Sequence, residues 1–262
     1  MINQMDTLKT RLPLSDNHCH TEFGYCAQDV TIKAAIERSN LSGLRAVSFT
    51  EHSGQLYVSK EDYWAFKFFS NPGLLRIMRD KKLDRIKAYK DKLSIVRSAS
   101  VRIGFEVEAD CNAGITLLPE DKEGIDLLVG AVHFLPSEFI NAGSRKLENK
   151  FMWANEVLLK NGVDILAHPF RFFIRSKLST PVKLYKPLAK MLKEYNAAPE
   201  LNFHTNAPDP VFFENCLEQG LKISLGSDSH NLSEVGDFSK HLKFLEDLGI
   251  NQSDILKHLF YI

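Results

Sequence analysis

Short apolar or β-branched runs alternate regularly with longer segments of helical periodicity along this chain. Such an alternation is typical of parallel strands joined by helical crossovers. The runs predicted as strands are 12–17, 45–50, 101–107, 126–132, 163–167, 200–203 and 222–225. The segments predicted as helices are 30–40, 74–98, 147–161, 181–195, 210–219 and 232–248. A chain of 262 residues fits one α/β barrel, so we predict a single domain over 1–262.

Composition disfavours several classes of function. The 33 basic residues balance the 33 acidic residues, so no broad basic field favours nucleic acid as a partner. No run of about 18 apolar residues is present, which excludes a membrane-spanning helix. The N-terminal sequence has no apolar signal-peptide core, and the four cysteines lack a disulfide framework spacing. We therefore expect a cytoplasmic protein, with its oligomeric state open.

One connection is longer than the alternation requires. Residues 55–80 carry an aromatic cluster of Tyr57, Tyr63, Trp64, Phe66, Phe68 and Phe69. We interpret this stretch as a loop and helix insertion that either forms part of a substrate lid or only packs against the barrel.

The histidines are placed at the ends of the predicted strands. Six of the nine, together with one glutamate, lie at or just beyond the C-terminal end of an apolar run: His18, His20, His52, Glu106, His133, His168 and His230. All strands of a parallel barrel end on the same face, so these side chains should converge on one site. An isolated histidine near a strand end is more often structural than a ligand, but convergence of the whole set favours a metal centre.

Local spacing supports the same conclusion. His18 and His20 are two residues apart on an extended chain and point to one side, and Asp228 and His230 repeat this spacing. Imidazole nitrogens and carboxylate oxygens suit Zn, Mn or Fe, and a carboxylate such as Glu106 can bridge two ions. We predict two or three divalent metal ions.

Six segments in order resemble the motifs of the PHP family of phosphoesterases: Asp16-Asn-His18-Cys-His20-Thr, Phe49-Thr-Glu-His52-Ser, Gly104-Phe-Glu106, Gly130-Ala-Val-His133, Ala167-His168-Pro and Gly226-Ser-Asp228-Ser-His230. The resemblance spans nearly the whole chain. It implies an α/β fold of the PHP type, a distorted seven-stranded (β/α)7 TIM-like barrel with up to three metals. The implied ligands are His18, His20, Glu106 and Asp228 for the first metal, Glu106, His133 and His168 for the second, and His52 and His230 for the third.

The chain departs from the family pattern at two positions. Cys26 stands where the family usually supplies a further histidine for the third metal, and Glu51 replaces the usual aspartate before His52. Cys26 is either a thiolate ligand that preserves the third site or a small buried residue beside a site for two metals.

The blocks around His20, His52 and His133 look most like the histidinol-phosphatase branch, which acts in histidine biosynthesis. The resemblance therefore implies hydrolysis of histidinol phosphate to histidinol and phosphate by a metal-bound hydroxide, with His18, His20, Glu106, Asp228 and His230 as the catalytic set. One alternative is a nucleotide or another small phosphate ester as substrate. A second is a non-catalytic metal-binding accessory domain.

A small phosphorylated metabolite requires further binding groups. Arg171 and Arg175 follow the His168-Pro pair on a predicted loop, and a guanidinium can bind phosphate through two hydrogen bonds. A solvated basic loop is the alternative for both. Asn202 and His204 could hydrogen-bond the substrate, although His204 could equally support a ligand or be structural. Weaker candidates for phosphate are Lys67 and Arg79.

The assignment of the bridging ligand has an alternative, because the ligand could lie two positions further along the same strand face. Glu108 and Asp110 share the strand face of Glu106, but the Gly-x-Glu pattern favours Glu106. His241 and His258 fall inside predicted helices, so we expect a packing or surface role for both.

Overall fold

Seven parallel strands lie side by side in sequence order in the computed structural model, which describes residues 12–262. They are β1 (Ser15–Cys19), β2 (Ala46–His52), β3 (Val101–Val107), β4 (Leu127–Gly130), β5 (Ile165–Leu166), β6 (Ala198–Leu201) and β7 (Ser224–Leu225). The chain after β7 returns to β1, because the backbone N–H of Asp228 donates to the His18 carbonyl at 2.7 Å and Ser229 bridges Cys19. The predicted (β/α)7 barrel is confirmed in a nearly closed form.

Helices surround the strands. They are α1 (Ile32–Leu41), α2 (Ser53–Tyr57), α3 (Lys60–Trp64), α4 (Lys67–Ser70), α5 (Gly73–Asp80), α6 (Ile86–Val96), α7 (Ser137–Ile140), α8 (Ser144–Lys160), α9 (Arg171–Arg175), α10 (Tyr185–Glu194), α11 (Pro210–Glu218), α12 (Ser239–Asp247) and α13 (Ile255–His258). Helix α11 begins where Asp209 accepts from the Val211 N–H, with Pro210 in the first turn. Between residues 12 and 262, no helix is long and apolar enough to cross a membrane.

Two predicted helices are interrupted. The segment 74–98 divides into α5 and α6, since Lys82 adopts a left-handed φ of 55° that ends the first helix. The segment 232–248 divides into a 3₁₀ turn and α12 around Gly236, whose φ is 69°. A Cβ at Gly236 would lie 2.9 Å from the Leu44 side chain, so both the turn and this close approach require glycine.

The insertion predicted at 55–80 folds as the short helices α2, α3, α4 and α5. Tyr57 anchors it by donating from its hydroxyl to Asp121 at 2.5 Å, and Phe68 is buried. A lid role for this insertion and a single domain over 1–262 stay predictions. The expectation about the N-terminal sequence falls on residues 1–11, which lie outside the described residues.

The register places unlike side chains in one row on the inner face of the barrel. His52 pairs with Glu106, Glu106 with Val129, Val129 with Ile165, and Ile165 with Ala198. The apolar members belong to a small buried group that we call the inner apolar cluster: Leu127, Val129, Ala131, Ile165, Ala167 and Ala198. The larger core lies between the outer face of the sheet and the helices. This row of the inner face is thus polar on β2 and β3 and apolar on β4 to β6.

Candidate metal centre

The strands bearing the first histidines run further than the sequence predicts. β1 continues through Cys19 and contains His18, and β2 ends at His52. Backbone strain accompanies two other candidate ligands, because His168 and Asp228 have φ values of 31° and 52°. Left-handed non-glycine residues carry a conformational cost and are concentrated at functional sites.

The predicted side chains converge at the C-terminal ends of the strands. Three groups each offer one ligand atom per residue, with the atoms of a group within 4.8 Å of one another: His18, His20 and Asp228; Glu106, His133 and His168; and His20, His52 and His230. The first two groups contain most of the predicted ligands of the first two metals, and the third contains both histidines of the predicted third site. We call these eight residues the ligand cluster.

The central atoms of the ligand cluster suit metal ions. Glu106 Oε2 lies 2.7 Å from His52 Nδ1 and 3.6 Å from His18 Nε2. All three atoms are buried, and apart from these ionic contacts with one another none has a hydrogen-bond partner within residues 12–262. Buried polar atoms are nearly always paired, so three converging atoms of ligand type indicate a site built for cations.

The charges in the ligand cluster support this interpretation. Burial alone would raise the pKa of Glu106, but the nearby His52, His133 and His18 outweigh burial and hold this pKa well below its usual value. Burial lowers the pKa of His20, but Glu51 and Asp228 overcome it and raise this pKa to about 9. The buried carboxylates therefore require compensating positive charge, which protons or metal ions can supply.

Burial outweighs the carboxylates and lowers the pKa of two other histidines in the same cluster. The pKa of His230 is about 3, because burial and the charge of His20 both disfavour protonation. The pKa of His168 lies well below its ordinary value through burial and the neighbouring Arg171. A neutral imidazole keeps one nitrogen lone pair, which either a hydrogen-bond donor or a metal can use.

Two buried glutamates orient the first histidine pair, and neither was predicted to do so. Glu200 Oε1 lies 2.8 Å from His18 Nδ1, and Glu51 Oε1 lies 3.0 Å from His20 Nδ1. A carboxylate on the second ring nitrogen fixes the orientation of a metal-binding histidine. A Cβ at Gly226 would lie 1.9 Å from Glu200 Oε1, so this glycine makes room for the carboxylate. An acidic residue in the apolar run of β6 was the available sequence signal.

Glu108 also supports a ligand. Its Oε1 accepts from the Tyr63 hydroxyl at 2.9 Å and lies 3.2 Å from His133 Nδ1. Glu106 Oε1 lies 3.2 Å from the other nitrogen of His133, so Glu106 occupies the inner position that the Gly-x-Glu pattern favours. Asp110 accepts from the backbone N–H groups of Asn112 and Gly114 in its own turn.

The predicted arginine loop is wrong in its local structure, because the two arginines begin and end the short helix α9. Arg171 is 3% exposed and donates to Asp228 Oδ2, His133 Nε2 and His168 Nε2. Arg175 is exposed. Helix formation carries Arg171 inward to the ligand cluster and leaves Arg175 at the surface.

The remaining substrate-binding candidates differ in position. Asn202 is buried, donates to Glu200 and accepts from the His204 N–H, so its polar atoms are used within the chain. His204 stacks on His230 at 4.4 Å, and its Nδ1 lies 3.0 Å from Glu234 Oε1. The weaker candidates Lys67 and Arg79 form ion pairs within or beside the insertion.

Cys26 lies beside the ligand cluster but belongs to none of the candidate metal groups formed by the described residues. Its Sγ accepts from Gln55 Nε2 at 3.3 Å. Burial, followed by the charge of Glu51, raises the pKa of Cys26 to about 12. Burial and the neighbouring carboxylate thus favour the thiol over the thiolate in the absence of a metal, and a role as third-site ligand stays a prediction.

An open cavity of about 360 Å³ lies above the ligand cluster. Its lining combines candidate ligands, aromatic residues of the insertion and the region of α9: Cys26, His52, Tyr63, Trp64, Phe66, His133, Arg171, Arg175, Ser176, His204, Thr205 and His230. The volume suits a small ligand. His241 is outside this site and packs against Phe203 and Phe238.

Fold and site together define a class: parallel α/β barrels with a polar cluster able to hold divalent metals at the C-terminal strand ends. The chain belongs to the PHP domain family, whose profile matches residues 16–204. The matched region includes the candidate ligands from His18 to His168, while Asp228 and His230 follow it.

Similar proteins agree with this membership. A probable phosphatase of Caldanaerobacter subterraneus is 25% identical over 95% of this chain and 88% of that protein. A probable phosphatase of Thermoanaerobacter is 24% identical over 92% of this chain and 89% of that protein. The histidinol phosphate phosphatase of Lactococcus lactis, solved with Zn, L-histidinol and phosphate, superimposes with a TM-score of 0.54. That similarity covers 91% of this chain and 95% of the other at 16% identity, and it shows a common fold.

Proposed function

We propose that this protein is a metal-dependent phosphatase that hydrolyses a small phosphomonoester. The observation that carries the proposal is the convergence of three candidate metal groups beneath a cavity of about 360 Å³. Membership in the PHP family and the similarity to probable phosphatases support it.

The proposed ligands of the first metal are His18, His20, Glu106 and Asp228. Those of the second are Glu106, His133 and His168, and those of the third are His52 and His230, with Cys26 as a further candidate. Zn, Mn and Fe suit these donors. When bound, such metals would neutralise phosphate oxygens and activate water for attack at phosphorus.

The protein side chains would prepare this reaction by position and charge. Glu200 and Glu51 hold the rings of His18 and His20. Arg171 reaches both the ligand cluster and the cavity, and its guanidinium would bind a phosphate held there. The bound ester would be enclosed by the aromatic side of the cavity.

Histidinol phosphate is the first specific candidate substrate because of the motif resemblance, and the ligands of the Lactococcus protein make it a natural test compound. A nucleotide or another small phosphomonoester is the alternative within the same reaction. A non-catalytic metal-binding module is the alternative outside it.

The decisive experiment is steady-state hydrolysis of histidinol phosphate beside a panel of phosphomonoesters and phosphodiesters, with bound metals counted on the same sample. We expect monoester hydrolysis that a chelator abolishes and added divalent metal restores. Preferred cleavage of diesters would contradict the phosphomonoesterase, and no hydrolysis across the panel would favour the non-catalytic module.

Cys26→Ser tests the third site in the same assay. If Cys26 is a ligand, about three metals per chain fall toward two, whereas a packing role leaves the metal count unchanged. Cys216→Ser is a matched control, because Cys216 is a buried free thiol on α11, outside the cavity lining.

A further inference from the structure

The charges of the side chains that line the cavity indicate which leaving group the site would accept. The leaving group is the part of the substrate that departs with the ester oxygen. None of the described residues that line the cavity is acidic. Carboxylates nearby have other partners: Glu108 accepts from Tyr63 and Thr116, and Glu234 accepts from the backbone N–H groups of His230 and Asn231 and faces His204. A cationic leaving group would find no free carboxylate in this cavity.

One cation in the lining is free. The Arg175 side chain is exposed and makes no hydrogen bond or ion pair with any other residue between 12 and 262, whereas that of Arg171 is engaged with Asp228 and two histidines. The two arginines are four residues apart on α9 and therefore share one face of the helix. Arg175 thus extends the positive charge of the site outward, beyond the position available to the phosphate.

The insertion contributes aromatic side chains to the cavity lining, among them Trp64 and Phe66. Trp64 is 48% exposed, so its ring is available to a ligand. Phe66 adopts a left-handed φ of 50° and stacks on Phe134 with ring centroids 4.0 Å apart. A non-glycine residue keeps such a backbone conformation only where its surroundings impose it. The stacked pair supplies a fixed apolar surface.

We propose that the leaving group carries a second anionic group bound by Arg175 and a flat apolar portion that lies against Trp64 and Phe66. This inference rests on the proposed phosphatase function and narrows its substrate class to phosphomonoesters of an acidic, planar alcohol or phenol. Histidinol phosphate, whose leaving group carries an ammonium, is then a poorer substrate than an anionic ester of similar size.

Three matched esters test the inference: 4-carboxyphenyl phosphate, phenyl phosphate and 4-(aminomethyl)phenyl phosphate. In the metal-loaded wild-type protein we expect kcat/KM for the carboxylate ester to exceed that for the ammonium ester by about tenfold or more, as for one charge-assisted contact. In Arg175→Glu we expect this ratio to fall by at least about tenfold, toward or below one. The same two esters are used with each protein, so differences in their intrinsic reactivity cancel when the ratios of wild type and variant are compared.

Arg145→Glu is the matched control, since Arg145 is exposed on α8 and does not line the cavity. The Arg145→Glu variant should keep the wild-type ratio of kcat/KM for the carboxylate and ammonium esters. It makes the same change of charge as Arg175→Glu, but away from the cavity. An equal ratio in wild type and Arg175→Glu, with all three esters hydrolysed, would overturn the inference and leave the phosphatase intact. Failure to hydrolyse any ester would overturn the phosphatase as well.

Discussion

The inner face of the barrel joins two regions of opposite chemistry one hydrogen-bonded strand apart. Glu106 on β3 is fully buried among histidines, and its register partner Val129 on β4 is fully buried in the inner apolar cluster. The apolar region is stabilised directly by the removal of its side chains from water. The ligand cluster is buried to the same extent, but its charges lose hydration and require partners.

Burial therefore has separate consequences in the two regions. The inner apolar cluster fills the barrel, whereas the ligand cluster is held at a free-energy cost that metal binding would offset. A ligand that binds only the folded state stabilises it by mass action. Substitutions in the ligand cluster should therefore change mainly the metal content. Substitutions in the inner apolar cluster should change mainly the free energy of unfolding.

The largest effect is expected at Glu106. Glu106→Gln keeps the shape of the side chain but removes the charge that faces His52, His133 and His168. We expect loss of about one metal or more per chain and a fall in kcat/KM of roughly 1,000-fold, equivalent to about 4 kcal/mol. Elemental analysis and phosphatase kinetics measure both. Wild-type metal content in the variant would refute the bridging assignment.

A smaller effect is expected from the orienting carboxylate of His18. Glu200→Gln keeps an oxygen near the ring but removes the negative charge that favours a metal-binding imidazole. We predict that metal affinity falls by about 10- to 100-fold. Titration with a competing chelator measures this change. Glu218→Gln, on the exposed end of α11, is the control and should keep the wild-type affinity.

His241 allows the effect of burial on the pKa of a histidine to be compared with the effect of charge pairing at His20. It is buried, and its Nε2 lies 3.1 Å from the Gly226 carbonyl. Burial lowers the pKa of His241 to about 4, in contrast to His20 at about 9 beside its carboxylates. The unfolded chain therefore binds a proton near pH 6.5 that the folded protein does not bind until about pH 4, so acid favours unfolding.

Between pH 7 and pH 5 this linkage should lower the free energy of unfolding by about 2 kcal/mol. His241→Gln removes the titration, and its stability should fall less over the same interval. Urea unfolding of both proteins at the two pH values measures the difference. Parallel losses in wild type and variant would show that His241 does not titrate as predicted.

Much of the ligand cluster was predictable because its geometry follows from local pattern. Parallel strands end on one face, so histidines after five of the seven apolar runs define the site without knowledge of distances. His133 and His168 were found in this way and meet Glu106 in the structure. The barrel was also predictable from a local pattern, the alternation of apolar runs with segments of helical periodicity.

The contacts that sequence analysis missed join residues distant in the chain. Glu200 reaches His18 across 182 positions, and Arg171 reaches Asp228 across 57. Neither contact has a local spacing that reveals it, because both depend on which strands and helices become neighbours. The break at Lys82 was missed because a left-handed lysine has no compositional signal.

The smallest effect is expected in the inner apolar cluster. Ile165 is fully buried, so Ile165→Val removes one methyl group from the barrel interior and should destabilise the protein by about 1 kcal/mol. Urea unfolding measures the loss, and elemental analysis should find unchanged metal content, since Ile165 is not in a candidate metal group. Loss of metal from this variant would mean that packing beside β4 and β5 positions the ligands, and the two regions would then act as one.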